Sequence, residues 1–355
     1  MRKKIVLIVV AVVAILLLAV GVIGYGFMND PRIKAAQSIA KIDDGLYTLT
    51  YEGDYGFDEF LARGGAATDA EMAQYITEFL TSGFGSAPTP DTTASYGCST
   101  FVSRTSRGVL FGRNFDFPFQ TGSKAMIVHA RPSHGYASIS TACLDFMGMP
   151  AEWCPDSDMM SRVSALAALY LPLDGINEKG LCVADLVAGD EEEVHQMTDN
   201  PDLTITATIR LLLDKAASVE EAIELLRQYD IHSSIGTSHH IAIADSEGTS
   251  VVVEYIDGEM SVVSTNVVTN HYLTPGEKFG LGNELSHQRY GCITDACDRL
   301  QERMSITTAH NILREASYPE YTQWSIVYAT DACEAYYTWR SHFDKEPYVF
   351  AVSKR

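Results

Sequence analysis

Cys98 opens the run Cys98-Ser99-Thr100-Phe101, and Arg113 and Asp116 follow it 15 and 18 residues later. A thiol attacks a carbonyl only as its thiolate, and a free cysteine ionises near pH ~8.5. The stretch between these residues reads as two strands, 99–104 and 109–115, around the turn Thr105-Ser106-Arg107-Gly108. Such a hairpin returns Arg113 and Asp116 beside the thiol. A guanidinium there would favour the thiolate and lower its pKa, and a carboxylate would hold an ammonium group. The missing piece is a base. If the Gly97–Cys98 bond is cut, Cys98 gains a free α-amine, whose pKa of ~7.7–8.0 suits a general base near neutral pH. One residue then supplies nucleophile and base together. Gly97, without a side chain, would let the chain bend at the cut.

These residues sit in a wider pattern. Cys98-Ser99-Thr100, Gly112-Arg113-Asn114-Phe115-Asp116, Asp174-Gly175-Ile176-Asn177-Glu178-Lys179-Gly180-Leu181, Val268-Thr269-Asn270 and Arg289 together resemble the choloylglycine hydrolase group of linear-amide C–N hydrolases. That group includes bile salt hydrolases, penicillin V acylases, isopenicillin-type acyltransferases and N-acylethanolamine acid amidase. The resemblance covers about residues 98–355. It implies a four-layer αββα fold of the N-terminal nucleophile type and cleavage of a linear amide through a Cys98 thioester. It also implies that Arg113 lies close to the thiolate and that Asp116 orients the α-amine. Asn270 would donate to the oxyanion, and Arg289 would complete the charge network. Val187 stands where bile salt hydrolases carry an asparagine, so only its backbone N–H could serve the oxyanion. Ser99 replaces a more usual threonine. A cysteine far from the start of the chain is closer to the self-processing acyltransferase and acid amidase branch. An acyltransferase using the same thioester, and an inactive anchored binding protein, are the alternatives.

The elements that must position these groups are strands first, then helices, in grouped order. Paired strands are expected over 99–115 and 126–141, with Asp174–Gly180 as a turn before a strand at 181–187. Helices follow at 204–217 and 218–229, where Ser218 and Glu221 form a capping box. A meander spans 239–263, helices cover 284–303 and 307–316, and strands close the chain. Grouped helices argue for an α+β fold of antiparallel sheets covered by helices rather than a doubly wound one. Before Cys98, a helix at 35–42, a strand at 46–51 and a helix at 68–80 form a segment separate in composition from the rest of the chain.

The N-terminus carries Arg2, Lys3 and Lys4 ahead of an uncharged apolar run from Ile5 to about Ile23. Such a helix nearly spans a ~30 Å hydrocarbon core, and its positive flank stays in the cytoplasm. Residues 1–24 therefore read as a signal anchor or a signal peptide, 25–97 as a pro-segment and 98–355 as the catalytic domain. The catalytic part is expected at the outer face of the cell membrane, or secreted if the first segment is removed. A net charge of −20 excludes nucleic acid as a partner. The seven cysteines are an odd number and do not define a disulfide framework. His239 and His240 point to opposite faces of one strand, so no metal is expected there, nor any organic cofactor. Phe117, Phe119 and Phe146 are candidates for a wall that binds the substrate's acyl group. The acyl and amine parts of the substrate, and the oligomeric state, are not legible.

Overall fold

The structure, a computed structural model, describes residues 29–353 apart from 82–96, 119–121, 191, 235, 301–302 and 319. The expected membrane helix and Phe119 lie outside the described residues. Among the described residues no helix is long and apolar enough to cross a membrane.

Along the chain, α1 (Pro31–Ser38), β1 (Ala40–Asp43), β2 (Leu46–Gly53), α2 (Phe57–Ala62) and α3 (Asp69–Thr81) precede the hairpin β3 (Gly97–Thr105) and β4 (Gly108–Asp116). Next come β5 (Ala125–Pro132), β6 (Ser138–Cys143), α4 (Met159–Ala165), β7 (Asp174–Asn177), β8 (Cys182–Val187), β9 (Asp202–Thr204), α5 (Ile205–Lys215) and α6 (Val219–Leu226). The remainder is β10 (Asp230–His232), β11 (His239–Ala244), β12 (Ser250–Ile256), β13 (Glu259–Ser264), β14 (Val267–Val268), α7 (Glu284–Leu300), α8 (Ile306–Glu315), β15 (Thr322–Ala329), β16 (Glu334–Trp339) and β17 (Tyr348–Ala351).

The larger sheet has the order β1-β2-β5-β6-β7-β8-β11-β12-β13, and the smaller one β14-β3-β4-β15-β16-β17. Period-two alternation sends one set of side chains to each face. Ile127, Ile139, Ala184 and Val252 of the larger sheet meet Val102, Phe111, Trp324 and Tyr337 of the smaller one. Val128, Ile241 and Val253 face the other way, against Ile209, Leu212 and Leu226 of α5 and α6. On the far side, Phe101, Leu110 and Val327 pack on Ile293, Ile312 and Leu313 of α7 and α8. The result is four layers, αββα. Each fully buried Leu, Ile, Val or Phe contributes ~1.5–3 kcal/mol relative to exposure, so both faces of each sheet must be covered.

Three local expectations change. The helix expected at 35–42 ends at Ser38, and residues 40–43 are a strand paired to β2. Asp174–Asn177 is not part of a turn but a buried strand between β6 and β8, and the turn shrinks to 178–180. Asn177 closes it, its Oδ1 accepting the N–H groups of Lys179 and Leu181 at 3.0 and 3.1 Å. The segment before Cys98 does not stand apart. β2 lies inside the larger sheet, parallel to β5 from Leu46↔Ala125 to Gly53↔Pro132. Its Tyr47, Leu49 and Tyr51, with Phe57 and Phe60 of α2, belong to the same core as α5 and α6.

Candidate active site

Cys98 is the second residue of β3 and is 2% exposed, within the apolar layer between the sheets. The β3–β4 register pairs Thr100 with Arg113 and Gly97 with Asp116, so the hairpin delivers both side chains to the thiol end. Gly97 itself makes no sharp bend: it is an extended residue of the ladder, absent from the glycines with positive φ. A Cβ added there would lie 3.3 Å from Arg289 Nη2 and 3.3 Å from Asp116 Oδ2, so crowding, not turning, is what favours glycine.

Arg113 is fully buried. Its Nε donates to Asp174 Oδ2 at 3.3 Å and its Nη1 to the Asn114 carbonyl at 3.1 Å. Among the described residues Nη2 meets no nitrogen or oxygen acceptor, and the guanidinium lies against the Cys98 thiol. Asp174 also accepts from Trp324 Nε1 at 2.9 Å and from the Tyr328 hydroxyl at 2.7 Å. A buried guanidinium without a counter-ion would be unsustainable, and Asp174 is that counter-ion. The sequence pattern places Asp174 in a turn, yet it carries a signal for this role: an aspartate leading into an apolar run must be paired if buried.

The second half of the site is a relay of hydrogen bonds. Asp116 Oδ1 accepts from the Thr322 hydroxyl at 2.5 Å, and Oδ2 accepts from Arg289 Nη1 at 2.6 Å. Arg289 Nη2 donates to Asn270 Oδ1 at 2.6 Å, and the same oxygen accepts the backbone N–H of Cys98 at 2.8 Å. Asn270 Nδ2 donates to the Val187 carbonyl at 2.7 Å. With two donors on Oδ1, the amide cannot be turned over. Helix α7 holds Asn270 twice, since Ser286 Oγ also accepts its backbone N–H at 2.8 Å. Ser286 and Thr322 were not legible as site residues in the sequence.

Cys98, Arg113, Asp116, Asn270, Val187 and Arg289 are therefore brought together. Val187 presents its carbonyl to Asn270. Asp116 reaches the Cys98 nitrogen through Arg289 and Asn270 rather than directly. The thiol pKa moves opposite to expectation: burial raises it, and the Arg113 guanidinium opposes without winning. Burial likewise raises the Asp116 carboxyl against the pull of Arg289. Phe117 and Phe146 meet edge to face at 5.2 Å in the same apolar layer as Cys98. Among the described residues no three His, Cys, Asp or Glu side chains converge as a metal site. His239 and His240 go to different carboxylates, Asp185 at 2.8 Å and Glu254 at 2.9 Å. None of the seven cysteines forms a disulfide.

The sequence and the fold both resemble known proteins. A penicillin V acylase of Pectobacterium atrosepticum is 31% identical over 100 residues, which cover 25% of this chain and 26% of that relative. The chain thus spans about a quarter of the curated relative it matches. A crystal structure of a conjugated bile acid hydrolase variant from Clostridium perfringens aligns with a TM-score of 0.53 at 16% identity, over 72% of this chain and 92% of that one. Penicillin V acylase from Agrobacterium tumefaciens aligns with a TM-score of 0.50 at 20% identity, over 71% and 85%. Both show the shared fold. The model of the linear amide C–N hydrolases, choloylglycine hydrolase family, matches residues 98–272, the stretch that holds Cys98, Arg113, Asp116, Asp174, Val187 and Asn270. Members of that family are hydrolases acting on linear amides, and it is this family that residues 98–272 of the chain resemble.

Proposed function

We propose that the chain is an N-terminal-nucleophile amidase that cuts its own Gly97–Cys98 bond and then cleaves a small linear amide. The observation that carries this is the placement of Cys98: its thiol lies against Arg113 while its backbone nitrogen is held by Asn270 Oδ1. In maturation the thiol attacks the Gly97 carbonyl, the acyl group shifts from nitrogen to sulfur, and water hydrolyses the thioester. The freed α-amine then takes the thiol proton. The thiolate attacks the substrate amide, and the tetrahedral oxyanion is met by Asn270 Nδ2 and the Val187 backbone N–H. Protonated by the same amine, the leaving amine departs, and water releases the acyl group from Cys98. None of these steps calls for a metal or an organic cofactor. Phe117 and Phe146 form part of the acyl wall.

The basic residues and apolar run at the N-terminus support a single-pass membrane protein with its catalytic part outside the cytoplasm. The test is intact mass and N-terminal sequencing of the purified protein beside Cys98→Ala. Turnover is then measured on penicillin V, conjugated bile acids and N-acyl amines. A new terminus at Cys98 in the wild type alone, with turnover of one of these amides, is the expected result. Absence of both would end the proposal.

A further inference from the structure

Glu254 and His240 face each other as a buried polar pair in a place where apolar side chains would serve the sheet. They are cross-strand partners on β12 and β11, and both are fully buried. Alternation puts them on the same face as Val252, Ala242 and Ala244, in the apolar layer between the two sheets. His240 Nδ1 lies 2.9 Å from Glu254 Oε1. Apolar side chains of similar volume would hold these strands at least as well, because removing a carboxylate and an imidazole from water offsets most of what their contact returns. The pair therefore calls for a reason other than sheet stability.

The carboxylate supplies one. Glu254 Oε1 accepts the backbone N–H of Leu273 at 2.9 Å, and Oε2 accepts that of Thr274 at 2.8 Å. These residues belong to the irregular stretch between β14 and α7, where backbone amides have no ladder to pair with. The Tyr272 ring packs edge-on against His240, with centroids 5.4 Å apart. Asn270 begins the same stretch. Ser286 of the smaller sheet's helix layer fixes its backbone from one side, and the Glu254 carboxylate fixes the next turn from the larger sheet. A hydrogen bond at 2.8 Å from Cys98 to Asn270 tolerates little drift of that backbone.

We propose that Glu254, seated by His240, is a positioning residue: it pins Leu273 and Thr274 so that Asn270 stays aligned on the Cys98 nitrogen and the reacting bond. The catalytic part of this inference rests on the proposed amidase function.

The experiment uses the full chain with Glu254→Gln, a substitution of equal size that turns an amide NH2 toward one of two N–H donors. Hydrogen exchange of peptides covering 270–281 is expected to quicken by about tenfold or more, while exchange in β15 and β16 stays as in the wild type. Unchanged exchange at 270–281 overturns the proposal whatever the activity. In steady state kcat should fall by about tenfold or more with KM within about threefold. In an Asn270→Ala background the same substitution should cost less than about twofold, since both act through one group. A loss that is additive with Asn270→Ala overturns the route through Asn270. If the wild type cleaves no acyl amide, the amidase reading falls and exchange alone decides the anchor. Should Glu254→Gln not fold, Glu254→Asp keeps the charge but draws it back by one methylene. It should then show an intermediate quickening at 270–281, and wild-type exchange would refute the anchor.

Discussion

The side-chain oxygen of Asn270 accepts the backbone N–H of Cys98 at 2.8 Å, across 172 residues of sequence. The bond fixes the nitrogen that the proposed mechanism turns into a base. It also leaves Nδ2 donating to the Val187 carbonyl, with a second hydrogen that the proposed mechanism directs to the oxyanion. Asn270→Ala removes both contacts. Turnover of the best amide substrate should fall by ~10²–10³, as for loss of one oxyanion donor. A fall of less than about threefold would remove Asn270 from the chemistry.

Gly97 faces the Arg289–Asp116 pair, where an added Cβ would lie 3.3 Å from both side chains and push them apart by a few tenths of an ångström. Overpacking costs ~1–3 kcal/mol, so Gly97→Ala should slow self-cleavage by about 5- to 150-fold and Gly97→Val by more. Mass spectrometry of the intact chain over time would read this directly. The amidase activity of molecules already cut should equal that of the wild type, because residue 97 is then gone from Cys98.

Asp174 balances a fully buried guanidinium. Asp174→Asn leaves Arg113 charged and unpaired, which should lower stability by ~3–5 kcal/mol in urea unfolding of the uncut Cys98→Ala protein. Asp199→Asn, at an exposed position, serves as the control for loss of one carboxylate.

Acid should weaken the fold in two windows. Burial, with the neighbouring His287 and His240, pushes His271 down to about 4 from its ordinary 6.5. Glu254 sits at about 2 against an ordinary 4.5: burial opposes this, but His240 and the backbone amides of its partners outweigh it. In both cases the unfolded chain binds the proton more readily, so protons are taken up on unfolding and stability falls as pH falls. The first loss runs from pH 6.5 toward 4 and the second from 4.5 toward 2, each about 3 kcal/mol at most. Denaturation midpoints of the uncut Cys98→Ala protein across pH would show both, and Glu254→Gln in that background should erase only the lower one.

The hairpin of the candidate site was legible because its geometry is local: a turn of known length fixes the register of Cys98 against Arg113 and Asp116. Asn270 and Arg289 were legible only through a resembling pattern, since no spacing rule places residue 270 or 289 beside residue 98. Asp174, Ser286 and Glu254 escaped for the same reason. Each acts on a partner between 16 and 61 residues away, on another element, and their short-range surroundings look like those of ordinary strands, helices and turns. β2 beside β5 was also hidden. A parallel neighbour reached across an intervening hairpin leaves no periodic trace in the sequence.

That placement of β2 has a consequence for the life of the molecule. Once the Gly97–Cys98 bond is cut, two polypeptides share one sheet, joined by eight residues of parallel ladder and a common core. They should leave a gel-filtration column together and part only in denaturant. Unfolding then becomes a one-way event at low concentration, because the pieces must find each other again by diffusion. The uncut Cys98→Ala protein would refold from dilute solution, whereas the mature one would show a yield that rises with concentration. In the proposed maturation the cut would trade reversibility for activity: the chain would have one chance to assemble, before Cys98 is freed.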